Sequence, residues 1–294
     1  MEQLLVLLTG VIISVMVSVN GSLGDLVGIY LGAVIIHVVG ILFAAVICII
    51  RKEPVFHKVS LPFWAYLGGA VGFLTTIFNT YAFKYMSMTS IVALGLLGQC
   101  IVSALFDTFG MFRLPKRKLT SGTWIGLLLS FAGVGIMLYH SEGSGLIAIL
   151  LSLGAGVTVV LARTINSSLA LKTSPMVGSL YNHMVGLPFC IALFLIMPKT
   201  MPQWGSLQPW MLCGGMMGVI TVMLYNITVS KVSASRITLL AFIGQIFAGI
   251  LLDVFSGQQI SSQLFWGGIL VSIGLFAGML VDWLNTAKMQ KQTK

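Results

Sequence analysis

Apolar residues run along this chain in long blocks separated by short polar breaks. A helix that crosses a membrane needs roughly 20 mostly apolar residues. Ten segments approach that length: 3–20, 26–50, 62–83, 89–109, 120–139, 146–168, 175–197, 209–229, 235–256 and 263–284. The runs are too long and unbroken for barrel strands, whose residues alternate, and in lipid a helix satisfies its own backbone. The pattern predicts an all-α integral membrane protein of ten transmembrane helices, with short connections and no soluble domain. The chain opens Met1-Glu2-Gln3 and turns apolar at once. Without a basic leader or a small-residue cleavage site, the first run is expected to remain as a span.

Composition agrees. Apolar residues make up 57% of the 294 positions, charged residues 8%, and mean hydropathy is +1.03. A soluble domain carries about 25% charged residues, so a disordered chain, a disulfide scaffold and an ordinary soluble enzyme are excluded. The few charges are unevenly placed, with 16 Lys and Arg against 7 Asp and Glu. If the N-terminus lies on one side, that side collects Arg51, Lys52, Lys58, Arg113, Lys116, Arg117, Lys118, Lys172, Lys231, Arg236, Lys288, Lys291 and Lys294. The opposite side holds Lys84 and Lys199, and Arg163 falls near the end of span six, where it either snorkels to the surface, the expected reading, or neutralises an anionic substrate. Basic loops mark the cytoplasm. A multi-pass protein of the cytoplasmic membrane with both termini inside is therefore expected. The excess positive charge sets topology and calls for no nucleic-acid partner. Trp64, Trp124, Trp210 and Trp266 stand near span starts, as an aromatic belt requires. Cys48, Cys100, Cys190 and Cys213 fall in spans as small hydrophobes.

The second half repeats the first. At a shift of 146 residues, Asn20, Gly32, His37 and Gly40 meet Asn166, Gly178, His183 and Gly186. Trp64, Gly68, Gly69, Gly72 and Thr75 meet Trp210, Gly214, Gly215, Gly218 and Thr221, and Gly98, Gln99 and Asp107 meet Gly244, Gln245 and Asp253. Each unit has five spans, an odd number, so the second must enter the membrane upside down. The expected domains are 1–140, an inverted copy at 145–286, and a cytoplasmic tail at 287–294. Inverted repeats are a transporter architecture, with sites near the midplane where the repeats meet.

The run Asn20-Gly21-Ser22-Leu23-Gly24, then His37-Val38-Val39-Gly40, Gly68-Gly69-Ala70-Val71-Gly72, Leu97-Gly98-Gln99 and Asp107 through Gly110 resembles the YdcZ-type family of the drug/metabolite transporter superfamily. Ile243-Gly244-Gln245 and Asp253 repeat it more loosely. The resemblance implies the superfamily's ten-helix fold with a central cavity. Helices one, three, four, six, eight and nine would line it, with five and ten peripheral. It implies no substrate. The small multidrug-resistance relatives carry a Glu in mid-helix one. This chain has no carboxylate between Glu2 and Asp25, which speaks against drug/proton antiport through such a residue.

Polar residues inside the spans are the candidates for function. Gln99 and Gln245 sit at span centres, on stripes Gly95-Gln99-Ser103-Asp107 and Ala241-Gln245-Gly249-Asp253 that repeat every four residues along one helical face. Such amides must face the bundle interior, either along a substrate path or as interhelical bonds. Asn79, Asn226, Tyr81 and Tyr225 are further candidates for the path, with the same structural alternative. Asn20 and Asn166 read either as path residues or as C-caps ending spans one and six. His37 and His183 are candidates for proton coupling, since imidazole titrates near neutrality, or are structural. Asp107 and Asp253 could be mirror-related gates, though carboxylates near span ends also reach interfacial water. Gly68-x-x-x-Gly72 and Gly214-x-x-x-Gly218 permit close helix approach.

No HExxH, P-loop or GxSxG motif is present, so neither enzyme chemistry nor a metal or other cofactor is expected. The expected function is secondary transport of a small organic metabolite, as an exporter, with H+ or Na+ as a coupling ion. The alternative is an accessory or structural membrane subunit. The partners are that solute and the bilayer, and a homodimer stays open. The mostly neutral candidates favour a neutral, zwitterionic or weakly cationic solute over a polyanion.

Overall fold

The computed structural model describes residues 1–55, 61–82, 85, 88–113, 116–117, 119–138, 146–198, 201–255 and 262–292, with side chains except at 80, 88–90, 93, 113, 137–138, 253, 263–264, 275 and 286–292. His57, Lys58, Lys84, Lys118, His140, Lys199 and Lys294 lie outside the described residues. So do the side chains of Arg113, Asp253, Lys288 and Lys291. Among the described residues all regular structure is helical: α1 (Glu2–Val27), α2 (Ile29–Ile50), α3 (Gly68–Ala82), α4 (Met88–Phe109), α5 (Ser121–Leu138), α6 (Leu146–Ala170), α7 (Pro175–Ile196), α8 (Cys213–Thr228), α9 (Ala234–Phe255) and α10 (Ser262–Gln292).

Seven helices, counted among the described residues, are long and apolar enough to cross a membrane. Three expected spans are shorter. The apolar parts of α4 and α5 are 94–109 and 121–136, and α3 has only 15 residues. The cause in α3 is local, because Phe63–Tyr66 winds as a 3-10 turn after Pro62 instead of opening the α-helix. The boundary between the first two spans also moves. α1 continues to Val27, and Gly28 alone separates it from α2. Its φ of 87° is open to glycine and strained for other residues. Asn20 and Asn166 accordingly lie within α1 and α6 and are not C-caps.

One end of the bundle is defined by polar contacts. Glu2 pairs with Lys231 at 3.7 Å, linking the start of α1 to the exit of α8. Asp107, near the end of α4, accepts from the first amides of α9. Thr120 and Arg236 both donate to Asp282, joining the starts of α5 and α9 to α10. Ser168 of α6 donates to Phe112 O, and Ser174, the N-cap of α7, donates to Glu53 beyond α2. Helix starts and ends therefore alternate at this end, which also carries Arg51, Lys52, Lys116, Arg117, Lys172, Lys231 and Arg236.

Helices in lipid gain little from burying apolar surface against one another, so close packing must hold them. Glycine notches supply it, in equivalent pairs. A Cβ on Gly10 would strike Ala241 O and Gln245 N of α9, and one on Gly156 would strike Gly95 O and Gln99 N of α4. Gly98 packs on Leu153 O, and Gly244 on Leu7 O. Gly69 meets Asn182 O, and Gly215 meets Ile36 O. α5 and α10 pair through Gly122, Gly133, Gly274 and Gly278.

Candidate substrate path

The histidines meet. The rings of His37 in α2 and His183 in α7 lie 5.5 Å apart, inclined at 54°. Each donates Nδ1–H to the carbonyl one turn earlier, Ala33 O and Ser179 O, at 2.9 Å. That fixes the tautomer and leaves Nε2 as an acceptor. Each ring occupies the notch of a glycine on the other helix: His183 against Gly40, His37 against Gly186. Cys190 Sγ is 3.5 Å from His37 Nδ1.

Asn20 and Asn166 are also interface residues. Asn20 packs on Gly214 at the start of α8, and Asn166 packs on Gly68 at the start of α3 while donating to Asn182 Oδ1 at 2.8 Å. Asn226 donates to Pro175 O at 2.9 Å, and its own Oδ1 is buried without a partner. Asn79 is half-buried and Tyr81 is exposed. Gln99 and Gln245 are both half-buried, and Gln245 Nε2 reaches back to Ala241 O at 3.3 Å. Among the described residues no hydrogen bond joins the two glutamines. What joins their stripes is one turn on, where Ser103 Oγ and Thr238 Oγ1 are 2.8 Å apart across α4 and α9. Thr75 and Thr158 make a similar bond between α3 and α6.

Asp107 is turned into the bundle. It is 5% exposed, and its two oxygens accept from Ala234 N at 2.7 Å and Ser235 N at 2.9 Å. A carboxylate there satisfies orphan amides and complements the positive end of the helix dipole. A cleft of about 230 Å³ opens beside it, lined by Gln3, Asp107, Arg117, Lys231 and Arg236.

Arg163 does not snorkel. It is 4% exposed and turns inward, because α6 continues to Ala170 and α4, α8 and α9 close around it. Its Nη2 donates to Thr238 Oγ1 at 2.7 Å, and to Ser103 Oγ and Ala234 O at 3.1 Å. The Tyr225 ring lies 5.7 Å from its central carbon, while Nε and Nη1 are buried without acceptors. Thr238 escaped the sequence reading because its equivalent position is Val92. Its place four residues after Ala234, on the inward face of α9, was the available signal.

The glycine-notched helices and the polar residues enclosed among them define a multi-pass membrane protein of transporter type. The family model described as "Putative inner membrane exporter, YdcZ" matches residues 2–136 and again 147–281. The chain belongs to this family of the drug/metabolite transporter superfamily, as two tandem units of an inner-membrane protein. No curated protein matches it. Twenty-nine chains of solved structures are similar. One, described only as the crystal structure of a protein, superimposes with a TM-score of 0.71 at 16% identity, over 95% of this chain and 96% of that one. At that identity the likeness speaks for the fold alone.

Proposed function

We propose that the protein is a secondary transporter that exports a small organic metabolite by alternating access, one five-helix unit rocking against an inverted copy of itself. The two units are 1–140 and 145–286, and 287–294 is a cytoplasmic tail. α1 leaves the basic end whereas its equivalent α6 arrives there, which supports the inversion. By the positive-inside rule the basic end is cytoplasmic. A C-terminal reporter should then be active in the cytoplasm; activity on the outer side would reject this orientation.

The observation that carries the reading is unequal burial of equivalent segments. Every residue from 162 to 170 of α6 is buried. In the matching stretch of α1, Val17 is 49% exposed, and Ser18 and Gly21 are exposed too. Two copies of one design are thus packed differently, sealed at the basic end and open at the other. Alternating access requires such a pair of arrangements around a fixed site. Asp107, on α4 of the first unit, caps α9 of the second and acts as the gate that holds the basic end shut. Asp253 takes the mirror role when the other end closes. His37 and His183 are the candidates for coupling to H+. Gln99, Gln245, Ser103, Asn79, Asn226, Tyr81, Tyr225, Asn20 and Asn166 are candidates for the path.

The test is flux through the reconstituted protein across a metabolite panel, with imposed proton and sodium gradients. Gln99→Ala and Gln245→Ala should each cut flux at least about tenfold, the effect of losing one or two hydrogen bonds to solute, with unchanged thermal stability. Normal flux in both would remove the glutamines from the path. If no solute binds or crosses, the protein is an accessory subunit.

A further inference from the structure

The gate and the notches leave one group unexplained, the guanidinium of Arg163. An arginine keeps its charge in any protein environment, and a buried charge without a counter-ion is costly. Among the described residues no carboxylate lies within ion-pair distance of Arg163, and Asp107 already serves the amides of 234 and 235. Among the described residues Nε and Nη1 have no hydrogen-bond partner, and the Tyr225 side chain and the Asp107 carboxylate, beyond ion-pair distance, offset the charge. Within a turn of this guanidinium or its partners, the oxygens of Thr164, Ser167, Thr221, Asn226 and Ser235 are also buried without partners. A buried guanidinium with two nitrogens unsatisfied is poorly suited to permanent closure, because it forgoes the bonds that water would make.

The layer is also one-sided. At the positions equivalent by the 146-residue repeat, Arg163, Ser103, Tyr225 and Thr238 become Val17, Gly249, Asn79 and Val92. The repeat therefore places a cation at one end of the bundle and none at the equivalent positions of the other. Two of the three acceptors on Nη2, Ala234 O and Thr238 Oγ1, belong to α9. When α9 withdraws from Asp107, it takes both away and frees the guanidinium fork.

We propose that Arg163, with Ser103 and Tyr225 beside it, is the binding site for a carboxylate on the transported solute, reached from the basic end when that end opens. One guanidinium balances one negative charge, so the ligand class is a monocarboxylate, including a zwitterion. A phosphate dianion would need a second cation here. The proposal rests on the transporter reading for the opening motion, and it turns a preference for neutral solutes into a requirement for one acidic group.

The probe is benzoate, with benzamide as its neutral counterpart of similar shape. The purified full chain in detergent should gain thermal stability with benzoate and not with benzamide, as ligand binding to the native state requires. Arg163→Gln should weaken the benzoate response by at least roughly tenfold, and Arg163→Lys should restore part of it. Where Arg163→Gln fails to fold, the wild-type chain still decides. Benzoate should then slow phenylglyoxal modification at Arg163, read by mass spectrometry, and leave Arg117 and Arg236 unprotected. Equal responses to the two solutes, no response to either, or a benzoate response kept in Arg163→Gln would overturn the site. Benzoate binding without flux of any solute would overturn transport and leave the carboxylate site standing; flux with indifference to benzoate would do the reverse.

Discussion

Gly156→Val is expected to destabilise the bundle by about 3 kcal/mol or more, the upper range for overpacking a tight contact. By the scaling for domains of this size, its thermal midpoint in detergent should fall on the order of 10 °C. The first added carbon runs into Gly95 O and Gln99 N, which are backbone atoms of α4. Nothing can rotate away, so α6 and α4 must separate along the seam that also positions Gln99. Gly10→Val should act alike on α1 and α9, because it meets Ala241 O and Gln245 N. The control is Gly135→Ala in α5, where an added Cβ meets nothing within 4 Å. There the gain in helix propensity should stabilise by up to about 1 kcal/mol. A thermal scan in which Gly156→Val melts with wild type would show that the seam is looser than its geometry.

On the proposed alternating-access cycle, Asp107→Ala should have the second large effect, on the conformational balance. It removes two charge-assisted bonds from α9, each worth about 1.5–3 kcal/mol. Ser233 Oγ, 3.4 Å from Arg236 N, offers only a weak substitute. Net of water replacing the carboxylate, a loss of about 2 kcal/mol in the closed arrangement shifts the balance toward opening by roughly 30-fold. The measurement is labelling of Ser235→Cys, placed in a background lacking Cys48, Cys100, Cys190 and Cys213, with an impermeant thiol reagent. Position 235 is now 1% exposed. Labelling should rise at least about tenfold with Asp107→Ala. A drop in stability with unchanged labelling would make Asp107 a static cap and remove the gate.

The helical architecture was legible because lipid imposes long apolar runs on each helix separately, whatever its neighbours do. Gly98, Gln99 and Gly244, Gln245 were legible as equivalents for a related reason: both pairs meet the same demand for a notch against a neighbouring backbone. Boundaries were less so. The polar stretch Asn20 to Asp25 pointed to a break there, but it stays helical and Gly28, between apolar neighbours, alone divides α1 from α2. The snorkelling reading of Arg163 failed for a tertiary reason. Its distance from the expected span end suited snorkelling, and only the positions of Ser103, Tyr225, Ala234 and Thr238 on three other helices turn it inward. Asp107 was visible as a carboxylate, but its acceptor role depends on where α9 begins in space, which local pattern does not encode.

The contact of His37 with Gly186 and of His183 with Gly40 has a consequence for ancestry. Both pairs are made from the same four-residue phrase, a histidine and then a glycine three positions on. Under the proposed inverted-repeat architecture, residues 1–140 alone carry both the ring and the notch, and would present to an inverted second copy the surface that 145–286 presents to them. A dimer of unfused halves needs no new contact at this point. In this chain the two phrases are bound to each other, and a larger residue at Gly186 can be accepted only where position 37 has first given up its ring.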